Sequence, residues 1–401
     1  MEWLKKQKAV PWLLKGFCVF MLLFPAFYSP YTDVYQSAYY GGFSWAYFLL
    51  VIYMGILLLN QKSRNWKKWT PYFALLAFYN LLSLYFNYKY LHWYWEQVNN
   101  TVAFLFFAVL VGCETKLDEG GQDNIRFLIH CIVLSNVASI IYFFKGYTKL
   151  LICNNQFVFF ALPENFYETR HYWLYSHKSE YALMLVAFTA LFVCFREKFK
   201  NCFTYYASLA VLFICLYLTH SWTGVGGVFL IFLGSMIDRV DKKNFQWKKQ
   251  HLIIGSILLL VVAGIGYKIL SERDITTLGG RTQIWSAAMG IIHKYPEGWG
   301  MRFGESAIQV AEGWMVNNGH NIFLNAMLRF SVPVGLCFDI LFLGIAIYSM
   351  IRSKSFLAMG MWMALLILLN MDYSLMSLQM ALLFLIVYLV CFYKRKVEHV
   401  E

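Results

Sequence analysis

The chain alternates long apolar runs with polar breaks from end to end. Twelve runs stand out, at about 10–28, 43–60, 70–88, 97–112, 126–145, 179–195, 203–219, 222–238, 251–270, 321–350, 356–371 and 375–393. Most are long enough to cross about 30 Å of hydrocarbon as a helix. The residue-by-residue alternation that marks a membrane barrel is absent. The pattern predicts an all-α polytopic membrane protein with about 12 transmembrane helices. The 321–350 run is too long for one perpendicular crossing. It must tilt, kink at Pro333 or begin above the membrane.

Composition agrees, with 60% hydrophobic, 19% aromatic and only 14% charged residues. No soluble domain is expected, so residues 1–401 read as a single integral membrane domain. The net charge of +12 would suit nucleic acid in a soluble protein. Here its placement reads as topology. With the N-terminus inside, 22 of the 34 Lys and Arg fall on cytoplasmic connections, as the bias toward positive inner loops requires. Both termini are then cytoplasmic, and no nucleic-acid partner is expected. Lys5, Lys6 and Lys8 precede the first apolar run as in a signal sequence. No small-residue cleavage pattern follows, so the run reads as a retained helix.

Two outer segments are long, 146–178 and 271–320. Of the eleven outer cations, Lys149, Arg170, Lys178, Arg273, Arg281, Lys294, Arg302 and Arg329 lie in or beside them. Such a cluster opposes the general charge bias and calls for an anionic ligand at the outer face. In the later segment, Gly279 and Gly280 precede Arg281. Ile284, Trp285, Ala288, Met289, Ile291 and Ile292 then form an apolar stripe. The stripe predicts an amphipathic helix lying on the membrane interface, anchored by Trp285. A cation at a helix N-terminus makes an anion site, because unpaired N–H groups add to the guanidinium. The other reading of Arg281 is contact with lipid head groups.

The segment ends on "NNGHNIFLNAMLRF". In a straight helix Asn321, Asn325 and Arg329 share a face, and Asp339 falls on it five turns from Asn321. Polar residues in a membrane helix face the bundle or a wet cavity. They either bond neighbouring helices or line a site, and permanently charged Arg329 needs an anion or an acidic partner. His320, with an ordinary pKa near 6.5, suits proton abstraction from a hydroxyl. Glu305 and Glu312 are rival bases. In the earlier segment Arg170, His171, His177, Lys178 and Glu180 crowd the approach to a span, either as interfacial anchors or as anion contacts. The small residues of "THSWTGVGG" read as close helix packing. Nine cysteines occur without metal spacing, and neither a metal nor another cofactor is expected.

The runs "GGRTQIW", "PEGWGM" and "GHNIFL", with a later Gly335, resemble the shared core of the bacterial O-antigen ligase and polymerase family, membrane glycosyltransferases of GT-C-like type. "SHKSEYAL" is similar to that family's His-Lys-Asn motif, with Ser179 in place of Asn. "HSWTG" is similar to its Ser-Arg-Thr turn, with Trp222 in place of Arg. The likeness is specific over about 280–340 and weaker over 176–240. It implies a metal-independent polysaccharide polymerase of the bacterial cytoplasmic membrane. The polymerase would join undecaprenyl-diphosphate-linked oligosaccharide units at the outer face. Implied partners are that lipid-linked glycan, membrane lipid, and a flippase and chain-length regulator of the same pathway. His320 and Arg281 would be catalytic. Arg170, Arg302, Asn321, Asn325, Arg329, His177 and Lys178 would bind diphosphate or glycan. A ligase that moves finished glycan to an acceptor is the alternative within the family. A lipid-linked oligosaccharide flippase or other transporter is the alternative from another class, and it would show two related halves.

Overall fold

The computed structural model describes residues 9–24, 27–28, 42–60, 69–90, 95–113, 123–153, 156–161, 170–175, 177–240, 280–298, 308–316, 319–371 and 379–393. The expected 251–270 span, Arg302 and Glu305 lie outside them. Thirteen α-helices occur among the described residues. They are α1 (Ala9–Leu23), α2 (Gly42–Asn60), α3 (Thr70–Tyr90), α4 (Trp95–Gly112), α5 (Asn124–Phe144), α6 (Lys178–Cys194), α7 (Cys202–Leu218), α8 (Trp222–Val240), α9 (Arg281–Lys294), α10 (Ile322–Phe330), α11 (Val332–Ser353), α12 (Phe356–Met371) and α13 (Gln379–Tyr388). A short π-helical turn, Leu389–Tyr393, continues α13. The fold is predominantly helical, and its helices follow the apolar runs closely. Helices α5 and α11 are each long and apolar enough to cross a membrane, and several others are apolar but shorter.

Two helices make the core. Every residue from Ser179 to Cys194 of α6 and from Gln379 to Tyr388 of α13 is buried. A helix that is apolar all round has no face for water and must be enclosed. The outer helices do the reverse. Phe78, Leu81 and Leu84 on α3, Phe203, Phe213 and Ile214 on α7, and Leu336, Ile340 and Ile347 on α11 are exposed. Large side chains therefore face outward as well as inward.

Helix ends are capped by local polar chemistry. Asp123 accepts from the Arg126 N–H at the start of α5 and pairs with Lys198 at 3.2 Å. Asn201 and Thr204 form a reciprocal capping box on α7. The Asp238 carboxylate near the end of α8 accepts from the Ser355 hydroxyl and from the Phe356 and Leu357 N–H groups, at 2.7–3.0 Å. A carboxylate at a helix N-terminus satisfies donors the helix cannot and favours the dipole. That anchor holds α8 to α12, whose contact is made by glycine. A Cβ on Gly234 would lie 2.2 Å from the Phe356 carbonyl oxygen, and one on Gly360 would lie 2.4 Å from that of Leu230.

The sequence reading differs from the structure at three places. The 321–350 run divides into α10 and α11 at Ser331, whose φ is 109°. Pro333 sits in the first turn of α11, where its missing N–H is harmless, so the break precedes the proline. The helical pattern also hid two small sheets. Strands β1 (Phe27–Tyr28), β2 (Tyr147–Cys153) and β3 (Gln156–Ala161) form one, in that order, with β1 parallel and β3 antiparallel to β2. Strands β4 (Ile308–Ala311) and β5 (Trp314–Val316) form the other. Finally, α9 forms over the expected residues, but its apolar face is docked on protein. Ala288 and Ile292 are buried in a cluster with Ile308 and Leu328, against α10 and β4, and Ile284 is buried on the same helix. Trp285 is half-buried with its ring N–H enclosed and unpartnered among the described residues, while Met289 of the same stripe is exposed. An amphipathic stripe specifies an apolar partner but not which one.

The glycine contacts give a direct test. Gly234→Ala should destabilise the protein by about 1–3 kcal/mol through overpacking, although alanine favours helix. Gly226→Ala, on the same helix with nothing within 4 Å of the new methyl group, should be neutral or stabilise by up to about 1 kcal/mol. Thermal unfolding in detergent reads both. Equal midpoints for the two variants would contradict the close α8–α12 contact.

Candidate functional site

The 170–175 segment is laid along β2. The Leu150 N–H donates to the Trp173 carbonyl at 3.0 Å, and the Tyr172 and Trp173 N–H groups donate to the Thr148 carbonyl at 3.0 and 2.9 Å. Strand β2 thus carries β1 and β3 and also fixes this arm. The arm is pinned to the helices by His171, which is fully buried. Its N–H donates to the Leu218 carbonyl at the end of α7, and its Nε2 lies 2.6 Å from the Ser139 hydroxyl of α5. The Tyr181 hydroxyl of α6 lies 2.8 Å from Ser139 and 2.7 Å from Asn136 Oδ1. Burial above all pushes His171 down to about 4. It is therefore neutral at physiological pH, and its Nδ1 has no partner among the described residues.

The arm delivers charge. Arg170 is exposed at its start. His177 and Lys178 end it, where His177 caps α6 by accepting the Ser179 N–H at Nδ1, 3.2 Å. Because Nδ1 accepts, the neutral ring carries its proton on Nε2 and is a donor. Burial, followed by the positive fields of Lys178, His320, Lys149 and Arg170, pushes His177 down to about 3. Those fields locate the site. Two segments about 140 residues apart meet here, and four basic groups lie within electrostatic reach of one imidazole. Lys149, on β2, stands over the rings of Tyr172 at 5.6 Å and Phe160 at 6.0 Å. Burial lowers its pKa, while buried Glu180 of α6 acts in the opposite direction. Glu180 also helps raise the buried Tyr175 phenol, after burial itself.

His320 enters from the second module with a left-handed backbone, φ 47°. It is half-buried just before α10. The next residue, Asn321, is not a helical stripe residue as expected. Its side-chain oxygen caps α10, accepting from the Phe323 and Leu324 N–H groups at 2.9 and 3.0 Å. Asn325 is buried, and its Oδ1 accepts the Gly319 N–H at 2.7 Å, which fixes the turn that presents His320. Arg329 is half-buried in the last turn of α10. The helix breaks at Ser331, so the straight polar face running to Asp339 does not exist. Asp339 is buried on α11, with Oδ1 unpartnered among the described residues.

The motif glycines explain how the second module closes. Gly280 (φ 83°) lies where a Cβ would meet the Trp314 ring at 2.5 Å. Gly298 (φ 81°) lies where one would meet the Ser331 nitrogen at 2.5 Å, and the Pro296 carbonyl accepts the Val332 N–H at 2.9 Å. A Cβ on Gly335 would lie 2.5 Å from the Met327 nitrogen, so α10 and α11 fold tightly together. Separate sequence motifs thus become one packed unit. Arg281 opens α9, and its Nε–H donates to the Met371 carbonyl at the end of α12, 2.7 Å. At least one of its donors therefore serves the fold, a role the sequence did not suggest. Gly319 packs on Ala288, seven residues along α9 from Arg281, or about 10 Å at 1.5 Å per residue. Arg281 and His320 flank the same helix at different levels.

Sequence reasoning missed the central place of Lys149 and the anchoring by His171. A signal for the first existed. "LLIC" and "QFVFF" are β-prone runs separated by Asn154 and Asn155, which is a hairpin spacing. Among the described residues no group of three or more His, Cys, Asp or Glu could hold a metal ion. No known family model matches this chain, and no curated protein matches it.

The buried imidazoles set a pH dependence. The unfolded chain protonates its histidines near 6.5, whereas folded His171 resists protonation to about 4. Stability from neutral His171 is therefore complete above about 6.5 and is lost as pH falls toward 4. The loss is on the order of 3 kcal/mol. In His171→Phe the fall in unfolding midpoint between pH 7 and 4.5 should shrink without vanishing, because His177 titrates in the same direction. An acid limb as steep as the native one would place the titration elsewhere.

Proposed function

We propose that the chain is a multi-pass protein of the bacterial cytoplasmic membrane. In this reading it polymerises undecaprenyl-diphosphate-linked oligosaccharide units at the outer face. The membrane part is supported by the two long apolar helices and by the outward-facing Phe, Leu and Ile side chains of α3, α7 and α11. Exposed apolar area on that scale is unfavourable in water and ordinary in lipid. The expected resemblance to the O-antigen ligase and polymerase family stays part of this proposal.

The chemistry rests on one observation, the meeting of Lys149, Arg170, Lys178 and His320 around His177. The three lysine and arginine charges held together there favour an anion, and a diphosphate on a polyprenyl tail presents one at head-group depth. In the proposed step an acceptor sugar hydroxyl attacks the anomeric carbon of the donor glycan. The carbon–oxygen bond to the diphosphate breaks, and the growing chain passes to the incoming unit. His320 takes the hydroxyl proton. The cations and the His177 Nε2–H stabilise the departing undecaprenyl diphosphate, as preorganised donors do wherever charge develops. Arg170 and Lys178 contact the diphosphate. In the same reading Arg281 adds to this from α9 while holding α9 to α12, and Arg329 of α10 is a further contact for the anion, as is Arg302 on its sequence position alone. Asn321 and Asn325 shape the His320 turn.

Replacement of His320 or Lys178 by Ala in the native host tests the proposal, with gel analysis of surface glycan. Single repeat units should accumulate while protein level stays normal. Arg281→Ala should lower protein level as well, because it also removes the bond to Met371. Full-length glycan in both the His320 and Lys178 variants would reject the assignment.

A further inference from the structure

Strand β3 is exposed on both faces, although β2 beside it buries Thr148 and Leu150. Phe157 is 59% exposed, and Phe159 and Phe160, which point to opposite faces of β3, are exposed as well. In water such a strand would be an aggregation edge. Its surroundings identify what covers it. Helix α5, long and apolar enough to cross a membrane, carries exposed Leu134, Ile141 and Phe144 at helical spacing, with Phe144 77% exposed in the last turn. The chain turns at Gly146 (φ 86°) and enters β2 directly. Tyr142 of α5 stacks on Phe159 with ring centroids 5.5 Å apart. Through that ring contact the apolar surface of α5 continues onto the hairpin. Exposed Lys145 lies at the junction, and Lys149 stands over Phe160. Aromatic rings beside lysines are the composition of a membrane–water interface, where rings enter the acyl boundary and ammonium groups meet lipid phosphates.

We infer that hairpin β2–β3 is seated in the bilayer, at the boundary of head groups and acyl chains, with phospholipid as its occupant. A second copy of the chain would use the open edge of β3 but would leave one face of the strand exposed, whereas lipid covers both. The same strand β2 holds Lys149 and the 170–175 arm. The seat therefore sets the basic cluster at phosphate depth and opens it sideways to the membrane. An anion with a lipid tail reaches it without leaving the bilayer. This inference rests on the multi-pass reading above and not on the glycan chemistry.

The test places p-benzoylphenylalanine at Phe157 or Phe160 in the full chain, reconstituted in phosphatidylglycerol–phosphatidylethanolamine nanodiscs. Irradiation joins the ring to its nearest C–H bond, and mass spectrometry identifies the adduct. The same residue at exposed Leu81 of α3 and at exposed Lys200 gives two references. Phospholipid adducts at 157 and 160, of the same order as at Leu81 and absent at Lys200, are expected. Adducts at Leu81 without adducts at 157 and 160 would overturn the inference and leave the membrane reading standing. Cross-links from 157 to a second copy of the chain would also overturn it. No lipid adduct at Leu81 would overturn both.

Discussion

Like charges do not gather without a reason. Lys149, Arg170, Lys178 and His320 act on the single imidazole of His177, and Lys149 sits in a partly buried place that already disfavours its charge. In a medium of reduced dielectric this repulsion is not screened as it is in water. The fold tolerates it because the groups are fixed by backbone: β2 holds Lys149, the arm paired with β2 holds Arg170, and a helix cap holds His177. Glu180 and the rings of Tyr172 and Phe160 offset part of the charge. In the proposed reading this arrangement is preorganised for an anion.

Packing gives the cluster its rigid backing. Enclosed α6 supplies His177, Lys178 and Glu180 from its first turn and Tyr181 to the buried network around Ser139. His171 ties the arm to α5, α6 and α7 through that network. On the other side, glycines at 280, 298 and 335 let α9, β5 and the α10–α11 junction approach to distances no side chain would permit. The bond from Gly319 to Asn325 then presents His320. Both halves of the site are thus products of close approach.

The apolar runs located nearly every described helix to within a few residues, including α8, because burial and lipid exposure both demand the same side chains. Motif reading also found the second module, since Gly-Gly-Arg, the Pro-Glu-Gly turn and His-Asn mark its corners. Three features were not legible. Ser331 breaks the helix through its own φ and the approach of Gly298, neither of which has a sequence signature. The stripe of α9 was visible, but its partner was not. Lys149 looked like one outer cation among eleven, because nothing local says that β2 will lie against a segment twenty residues later.

By itself, then, the sequence determined a helical, apolar chain whose outer basic residues fall mostly in or beside two unequal segments. Periodicity and charge are local properties, read within a few turns of chain. Only the tertiary structure decided that the segments meet at His177, that Arg281 holds α12, and that Asn321 caps a helix rather than lining one. Those outcomes depend on which surfaces come to within a few ångströms of each other, and van der Waals contact between distant residues is written in no single stretch of the chain.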